Sequence, residues 1–126
     1  DSEMYSYSYD KKEDELTAVS NYNLPSKVQG VAFDDNGSIY LSTSYGRNNS
    51  SYLKVYSSLL SLDKKPNEPK VKVEMPPCSE EVAIADGTVF VLFESASAKY
   101  FEGTDGMGKS PAPIDKLLEV SVASIW

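Results

Sequence analysis

The chain has 126 residues, 40% hydrophobic and 25% charged, enough for one domain that buries about two-thirds of its unfolded surface. Its 12 Lys and Arg against 19 Asp and Glu leave a net charge of −7, which sets long-range repulsion against a nucleic-acid or anionic-membrane partner. With no histidine and a single cysteine, Cys78, the sequence excludes Ser-His-Asp and Cys-His catalysis, histidine-bound zinc or haem, CxxC redox chemistry and an internal disulfide.

No window reaches the roughly 18 apolar residues of a membrane span, and DSEMYSYSYD lacks the basic and apolar parts of a signal peptide. A start at Asp1 in place of Met reads as a processed or truncated product. Helical periodicity is nearly absent, whereas short runs rich in Val, Ile, Tyr, Phe and Thr alternate with Gly, Pro, Asn and Asp clusters. The pattern is that of an all-β chain, with strands expected at 4–9, 16–22, 27–33, 38–44, 51–57, 71–75, 81–85, 88–94 and 116–122.

In the first strand Tyr5, Tyr7 and Tyr9 alternate with Met4, Ser6 and Ser8, so three rings share one face, suited to stacking a sugar or to packing against a neighbouring sheet. Stretches 10–15 and 63–72 mix acidic and lysine residues and read as solvated outer loops. Asp34-Asp35-Asn36-Gly37 and Asp86-Gly87 supply the positive φ angles of tight hairpin turns. Val89 to Phe93 is apolar on both faces, as in a strand covered from two sides, whereas Ile39, Leu41 and Thr43 alternate with Tyr40, Ser42 and Ser44.

The two hairpins are copies of one another. GVAFDDNGSIYLSTS from Gly30 aligns with EVAIADGTVFVLFES from Glu81 after one gap, an offset of about fifty residues. Tyr52-Leu53-Lys54-Val55 then matches Leu117-Leu118-Glu119-Val120, and a proline loop precedes each copy. Such a repeat, carrying four short strands, is the signature of a β-propeller blade. With blade strands lettered A to D outward, residues 1–23 are the end of one blade (C-D), 24–76 a complete blade (A-B-C-D) and 77–126 an incomplete one (A-B-C). Two isolated blades leave apolar faces and open edges uncovered. The expected partners are therefore the remaining blades of a longer chain or copies of the chain itself, three copies giving six blades. A nine-stranded β-sandwich or barrel is the alternative architecture.

At VQGVAFDDNGSIYLSTSYGR and SEEVAIADGTVFVLFES the chain resembles the C-terminal blades of secreted or cell-surface bacterial propeller proteins and, more distantly, the NHL and SMP-30/gluconolactonase-like group, over about residues 24–126. The resemblance implies an extracellular or cell-surface location. In SMP-30-like enzymes a Glu at the start of an innermost strand helps bind a divalent cation. The matching positions here are Gln29-Gly30 and Glu80-Glu81, the first of them uncharged. By that resemblance Glu80 and Glu94 belong to a cation site of a hydrolase or lactonase, completed by other blades.

Loops that lead into strands A and out of strands B converge on one mouth of a propeller channel. They carry Lys27, Gln29, Ser44, Tyr45 and Arg47 in one copy, and Ser79, Glu80, Glu94, Ser95 and Tyr100 in the other. Arg47, the only arginine, offers a planar fork for a carboxylate ligand or ties the copies together by pairing with Glu80 or Glu94. Glu80, Glu81 and Glu94 are candidate calcium ligands or an acid and base, set against a solvated or structurally paired role. Cys78 has no basic neighbour in sequence and reads as a buried, inert thiol.

Gly103-Thr104-Asp105-Gly106-Met107-Gly108-Lys109-Ser110 matches the G-x-x-x-x-G-K-S phosphate loop, but Pro111 and Pro113 oppose the helix that such a loop requires. It reads as a glycine-rich loop. The functional expectation is a binding or structural platform with a carbohydrate or other small-molecule ligand at the mouth. The alternatives are a cation-dependent hydrolase or lactonase and a homotrimeric sugar binder. No cofactor is expected, with calcium the one candidate.

Overall fold

The computed structural model describes residues 2–126, and these form nine antiparallel strands in three sheets, with only short helices. Sheet 1 pairs β1 (Ser2–Asp10) with β2 (Glu15–Leu24). Sheet 2 has the order β3 (Val28–Phe33), β4 (Ile39–Thr43), β5 (Ser51–Tyr56) and β6 (Val71–Met75). Sheet 3 has the order β7 (Ser79–Ala85), β8 (Thr88–Phe93) and β9 (Leu118–Ser121). None of the three closes on itself among the described residues. Every expected strand is present, within four residues at its ends.

The turns follow their chemistry with one difference. At Asp86-Gly87 both residues have positive φ, 50° and 73°, and Ala85 pairs directly with Thr88 across a two-residue turn. At the first hairpin only Gly37 is left-handed, at 80°. There Asp34 Oδ1 accepts from the backbone N–H groups of Asn36 and Ser38, both at 2.9 Å, and this wider loop spares Asn36 the unusual conformation expected of it.

The sheets stack face on face. We call the face turned toward the next sheet in the chain leading, and the other trailing. Ala32, Tyr40, Leu53 and Val55 on the leading face of sheet 2 pack against Val82, Val89, Val91 and Phe93 on the trailing face of sheet 3. The trailing face of sheet 2 brings Ile39, Leu41 and Tyr56 against Leu62, with Met4 and Leu24 of sheet 1 at the border. Sheet 2 is thus covered on both sides, and all five residues of β4 are buried. At the sheet 2–sheet 3 interface the hydroxyls of Ser42 and Ser79, both fully buried, share a hydrogen bond of 2.7 Å.

Gly30 allows the edge strands β3 and β7 to meet. A Cβ there would lie 2.7 Å from the Glu80 carbonyl oxygen and 2.9 Å from Glu81 Cα, closer than van der Waals contact permits. Leu62 belongs to α1 (Leu59–Lys64), an element absent from the strand reading. The helix is set by a reciprocal capping box in which Ser58 and Ser61 each accept the other's backbone N–H at 3.1 Å. Asp63 then accepts from the Asn23 backbone at 2.8 Å, pinning the end of sheet 1 to sheet 2. Tyr56, buried beneath this corner, donates to the Pro66 carbonyl at 2.6 Å, and burial pushes its phenol up to about 12.

Two further helical turns, α2 (Ala98–Phe101) and α3 (Val122–Ile125), flank β9. After α3, Trp126 Nε1 donates to the Tyr40 hydroxyl at 2.9 Å, and that hydroxyl in turn donates to Asp34 at 3.0 Å.

The third-strand alignment of the repeat is corrected by one residue. Leu41 faces Lys54 across the β4–β5 ladder, whereas its counterpart Val91 faces Leu118 across β8–β9. Leu118 therefore takes the place of Lys54 rather than Leu53. Leu118 and Val120 consequently lie on the trailing face of their sheet, while Leu53 and Val55 lie on the leading face of theirs.

Candidate functional site

Each copy builds its share of one cleft with the same backbone device. Lys27 and Cys78, just ahead of β3 and β7, both have left-handed φ, at 65° and 71°. Each turns its carbonyl to the residue that leaves the paired strand: Ser44 N–H donates to Lys27 O and Glu94 N–H donates to Cys78 O, both at 3.0 Å. A bulge follows. Val28 pairs with Thr43 but Gly30 with Ser42, leaving Gln29 as the extra residue; Ser79 pairs with Phe93 but Val82 with Val91, which places Glu80 and Glu81 at the same step. The extra residue keeps Val28 and Val31 on one face and turns Gln29 out of the ladder; the same holds for Ser79, Val82 and Glu80.

The outcome is a cleft of about 290 Å³ between the two copies. Five of the six candidate residues line it, namely Gln29, Ser44, Tyr45, Glu80 and Glu94, together with Lys27, Cys78 and Tyr100. Gln29 Nε2 reaches the Ser44 carbonyl at 3.5 Å, the limit of a hydrogen bond. Burial, then the hydrogen bond and charge of Glu94, hold the Glu80 carboxyl above the ordinary carboxylate value. Burial and then Glu94 also raise the Tyr100 phenol, with Lys99 opposing. The walls therefore present two carboxyls, the Gln29 amide and the Ser44 hydroxyl beside the Lys27 ammonium, flanked by two tyrosine rings. Such a lining offers acceptors and donors together, as a polar ligand rich in hydroxyl groups requires.

Arg47 ties the two copies together, through an acid other than the expected Glu80 or Glu94. It lies outside the cleft, buried, with Nη2 on Asp105 Oδ2 at 2.5 Å and Nη1 on Asp105 Oδ1 at 3.2 Å. Its guanidinium also lies 4.6 Å from the centre of the Tyr100 ring. Glu80 and Glu94 are thus free of the pairing with Arg47 that the sequence suggested, because a closer acid arrives from 58 residues downstream. That acid belongs to the phosphate-loop look-alike. Residues 111–117 after it contain no helix, its Gly103, Gly106 and Gly108 all have positive φ, and Asp105 inside it is taken up by Arg47. The segment is a strap that holds Arg47 and, through it, Tyr100 at the rim.

Cys78 is buried, and its thiol approaches the Gly46 carbonyl at 3.8 Å. Burial and then the charge of Glu94 raise its pKa, with Arg47 opposing, so it is held as the neutral thiol. Ser79 faces the sheet interface rather than the cleft, and the Ser95 hydroxyl accepts from the Ile114 backbone at 2.8 Å. No group of three Asp, Glu, Cys or His side chains with a metal-binding arrangement occurs among the described residues. Tyr5, Tyr7 and Tyr9 are uncovered in the single chain. No described helix is long and apolar enough to cross a membrane.

No family model, curated protein or solved structure matches the chain.

Proposed function

We propose that this chain is a binding platform built from successive β-propeller blades, with a small, hydroxyl-rich or cationic ligand seated in the cleft at the blade boundary. The single observation that carries the reading is the duplication of the cleft. Equivalent positions of the two copies, Gln29 with Glu80 and Ser44 with Glu94, meet across it on the same left-handed and bulged backbone. The two-, four- and three-stranded grouping supports the blade reading, since in each of sheets 2 and 3 the chain starts at one edge strand and steps outward in sequence order.

A cation site at Glu80 and Glu94, such as the hydrolase-like resemblance implies, is the second reading, and the carboxyl pair favours it. Titrating isotope-labelled protein with calcium chloride, and separately with a panel of methyl glycosides, while following backbone NMR shifts tests both. A saturable response centred on Ser44, Tyr45, Glu80 and Glu94, and abolished by Glu94→Gln, supports ligand binding in the cleft. A calcium response alone selects the cation reading. Scattered or absent shifts with every probe overturn the small-ligand role and leave a structural platform.

A further inference from the structure

We propose that the cleft between the two copies takes a zwitterion, a free amino acid whose ammonium group is held on the Glu80–Glu94 wall and whose carboxylate is held by Lys27 on the other wall. This ligand class rests on the small-ligand reading of the cleft and narrows it to one chemistry.

The duplication supplies an internal control, because equivalent positions share a backbone and differ in side chain. Lys27 and Cys78 hold the same left-handed φ, and their carbonyls accept from Ser44 N–H in one copy and Glu94 N–H in the other. Gln29 and Glu80 stand at the same bulge. Over these three pairs the first copy carries a cation and no acid, and the second carries two acids and no cation. The same backbone device forms with either set, so it does not require the charges. They are instead sorted by wall, an ammonium on one side of the cleft and two carboxyls on the other.

Opposite charges that served to join the two walls would pair, and these do not. Among the described residues the ion pairs are Arg47–Asp105 and Lys65–Glu68, which leaves Lys27 and the two glutamates unjoined across the cleft. Lys27 Nζ lies instead 4.4 Å from the centre of the Tyr45 ring. Lys27 and Tyr45 are exposed, whereas Glu80 and Glu94 are half-buried, so the ligand is oriented with its ammonium inward and its carboxylate toward the rim. Burial and then Glu94 hold the Glu80 carboxyl above its ordinary value, and an ammonium donating to both carboxyls relieves that strain. A neutral sugar leaves Lys27 without a counter-charge, and a calcium ion brings it a like charge. A zwitterion answers both walls.

Backbone NMR titration of the labelled chain with free amino acids of increasing charge separation, from glycine to aminohexanoate, tests this, followed by the best binder in its N-acetyl and carboxamide forms. Loss of either ligand charge is expected to weaken binding about tenfold or more. Lys27→Gln should weaken the zwitterion by a similar factor and leave the affinity for the carboxamide unchanged. Glu94→Gln should weaken the zwitterion and the carboxamide and leave the N-acetyl form unchanged. Native shifts in β3 and β7 check that each variant keeps the fold, and Lys27→Arg, which keeps the charge, should retain binding. Blocked forms that bind as well as the parent overturn the proposal, as does a panel without a binder. The calcium and methyl glycoside titrations then separate two failures: a response to either at Ser44, Tyr45, Glu80 and Glu94 overturns the zwitterion and keeps the cleft as a binding site, and silence from every probe removes both.

Discussion

β4 and β8 occupy the same place in two copies of one strand pattern, and they live in different surroundings. All five residues of β4 are buried, because sheet 3 covers one face and sheet 1 with α1 covers the other. β8 buries Val89, Val91 and Phe93 against sheet 2 and leaves Leu92 half exposed. Their compositions run the other way. The fully enclosed strand carries Tyr40, Ser42 and Thr43, and the half-covered one is VFVLF. Enclosure is reached with polar groups that find partners: Tyr40 binds Trp126 and Asp34, Ser42 binds Ser79, and Thr43 reaches the Tyr52 carbonyl at 3.4 Å. The lesson is that a run apolar on both faces reports a strand able to be covered on both faces, and covering can lie outside the single chain.

The largest way to sharpen this contrast is to truncate one leucine in each strand. Leu41→Ala removes a side chain that is fully buried and is expected to lower unfolding free energy by about 2–5 kcal/mol. Leu92→Ala, at a half-exposed position, should lower it by under about 1 kcal/mol. Paired denaturant titrations check the difference, and equal losses would mean that sheet 3 has a second cover within the single chain.

Next in size is the contact of the inner strands. Gly30→Ala places a methyl group against backbone atoms of Glu80 and Glu81 and should cost about 1–3 kcal/mol, with NMR shifts spreading into β7. Ala83→Gly, at an exposed position of β7, should cost about 0.5–1 kcal/mol through backbone entropy alone, leaving the shifts of β3 in place.

The buried serine pair gives a third comparison. Ser42→Ala leaves the Ser79 hydroxyl without its partner in a dry interface, at a cost of about 1–3 kcal/mol. Adding Ser79→Ala should recover most of that loss, because no unsatisfied hydroxyl then remains. A double variant as unstable as the sum of the singles would show that shape rather than hydrogen bonding joins the sheets.

The smallest expected effect concerns charge at one pair of equivalent positions that differ by a single functional group: Gln29 in one copy and Glu80 in the other. The Glu80 carboxyl is raised by burial first and by Glu94 next, so the folded state favours its protonated form. Stability from this source is full below the ordinary carboxylate range and is lost as pH rises through the raised value. Glu80→Gln should therefore raise the thermal midpoint at neutral pH and leave it unchanged in acid. Asp105 behaves oppositely. The Arg47 hydrogen bond, followed by that of the Met107 backbone, holds its carboxyl low, so its contribution is present above the ordinary range and fades as pH falls through the lowered value. The strap should loosen in acid, and thermal melts across pH in the wild type and Asp105→Asn separate the two trends.

Most of the strand pattern was legible because local chemistry and tertiary packing agree: Gly37 and Asp86-Gly87 turn the chain where the alternation of apolar residues breaks. The cleft residues could be grouped because the repeat places equivalent positions on equivalent backbone. Three things were hidden, each for a physical reason. The register of β9 is set by pairing with Val89 and Val91 across a loop of more than twenty residues, and the apolar pairs Leu53/Val55 and Leu118/Val120 look alike in either register. The partner of Arg47 comes from a distant loop whose glycines mimic another motif. The short α1 is fixed by Ser58 and Ser61, residues as common in turns as in caps. Tyr100 entered the sequence reading only as a mouth residue; its placement by the guanidinium of Arg47 had no local signal.

The indole of Trp126 rests on the hydroxyl of Tyr40, with the Lys70 ammonium 4.9 Å from its ring. As the sole tryptophan, it makes the chain its own fluorescent reporter of one particular event, the undocking of the final helical turn from the central sheet. Emission recorded during gentle heating follows that latch, while the circular dichroism of the strands follows the sheets. A gap between the two curves would measure how far the tail lets go before the stack does.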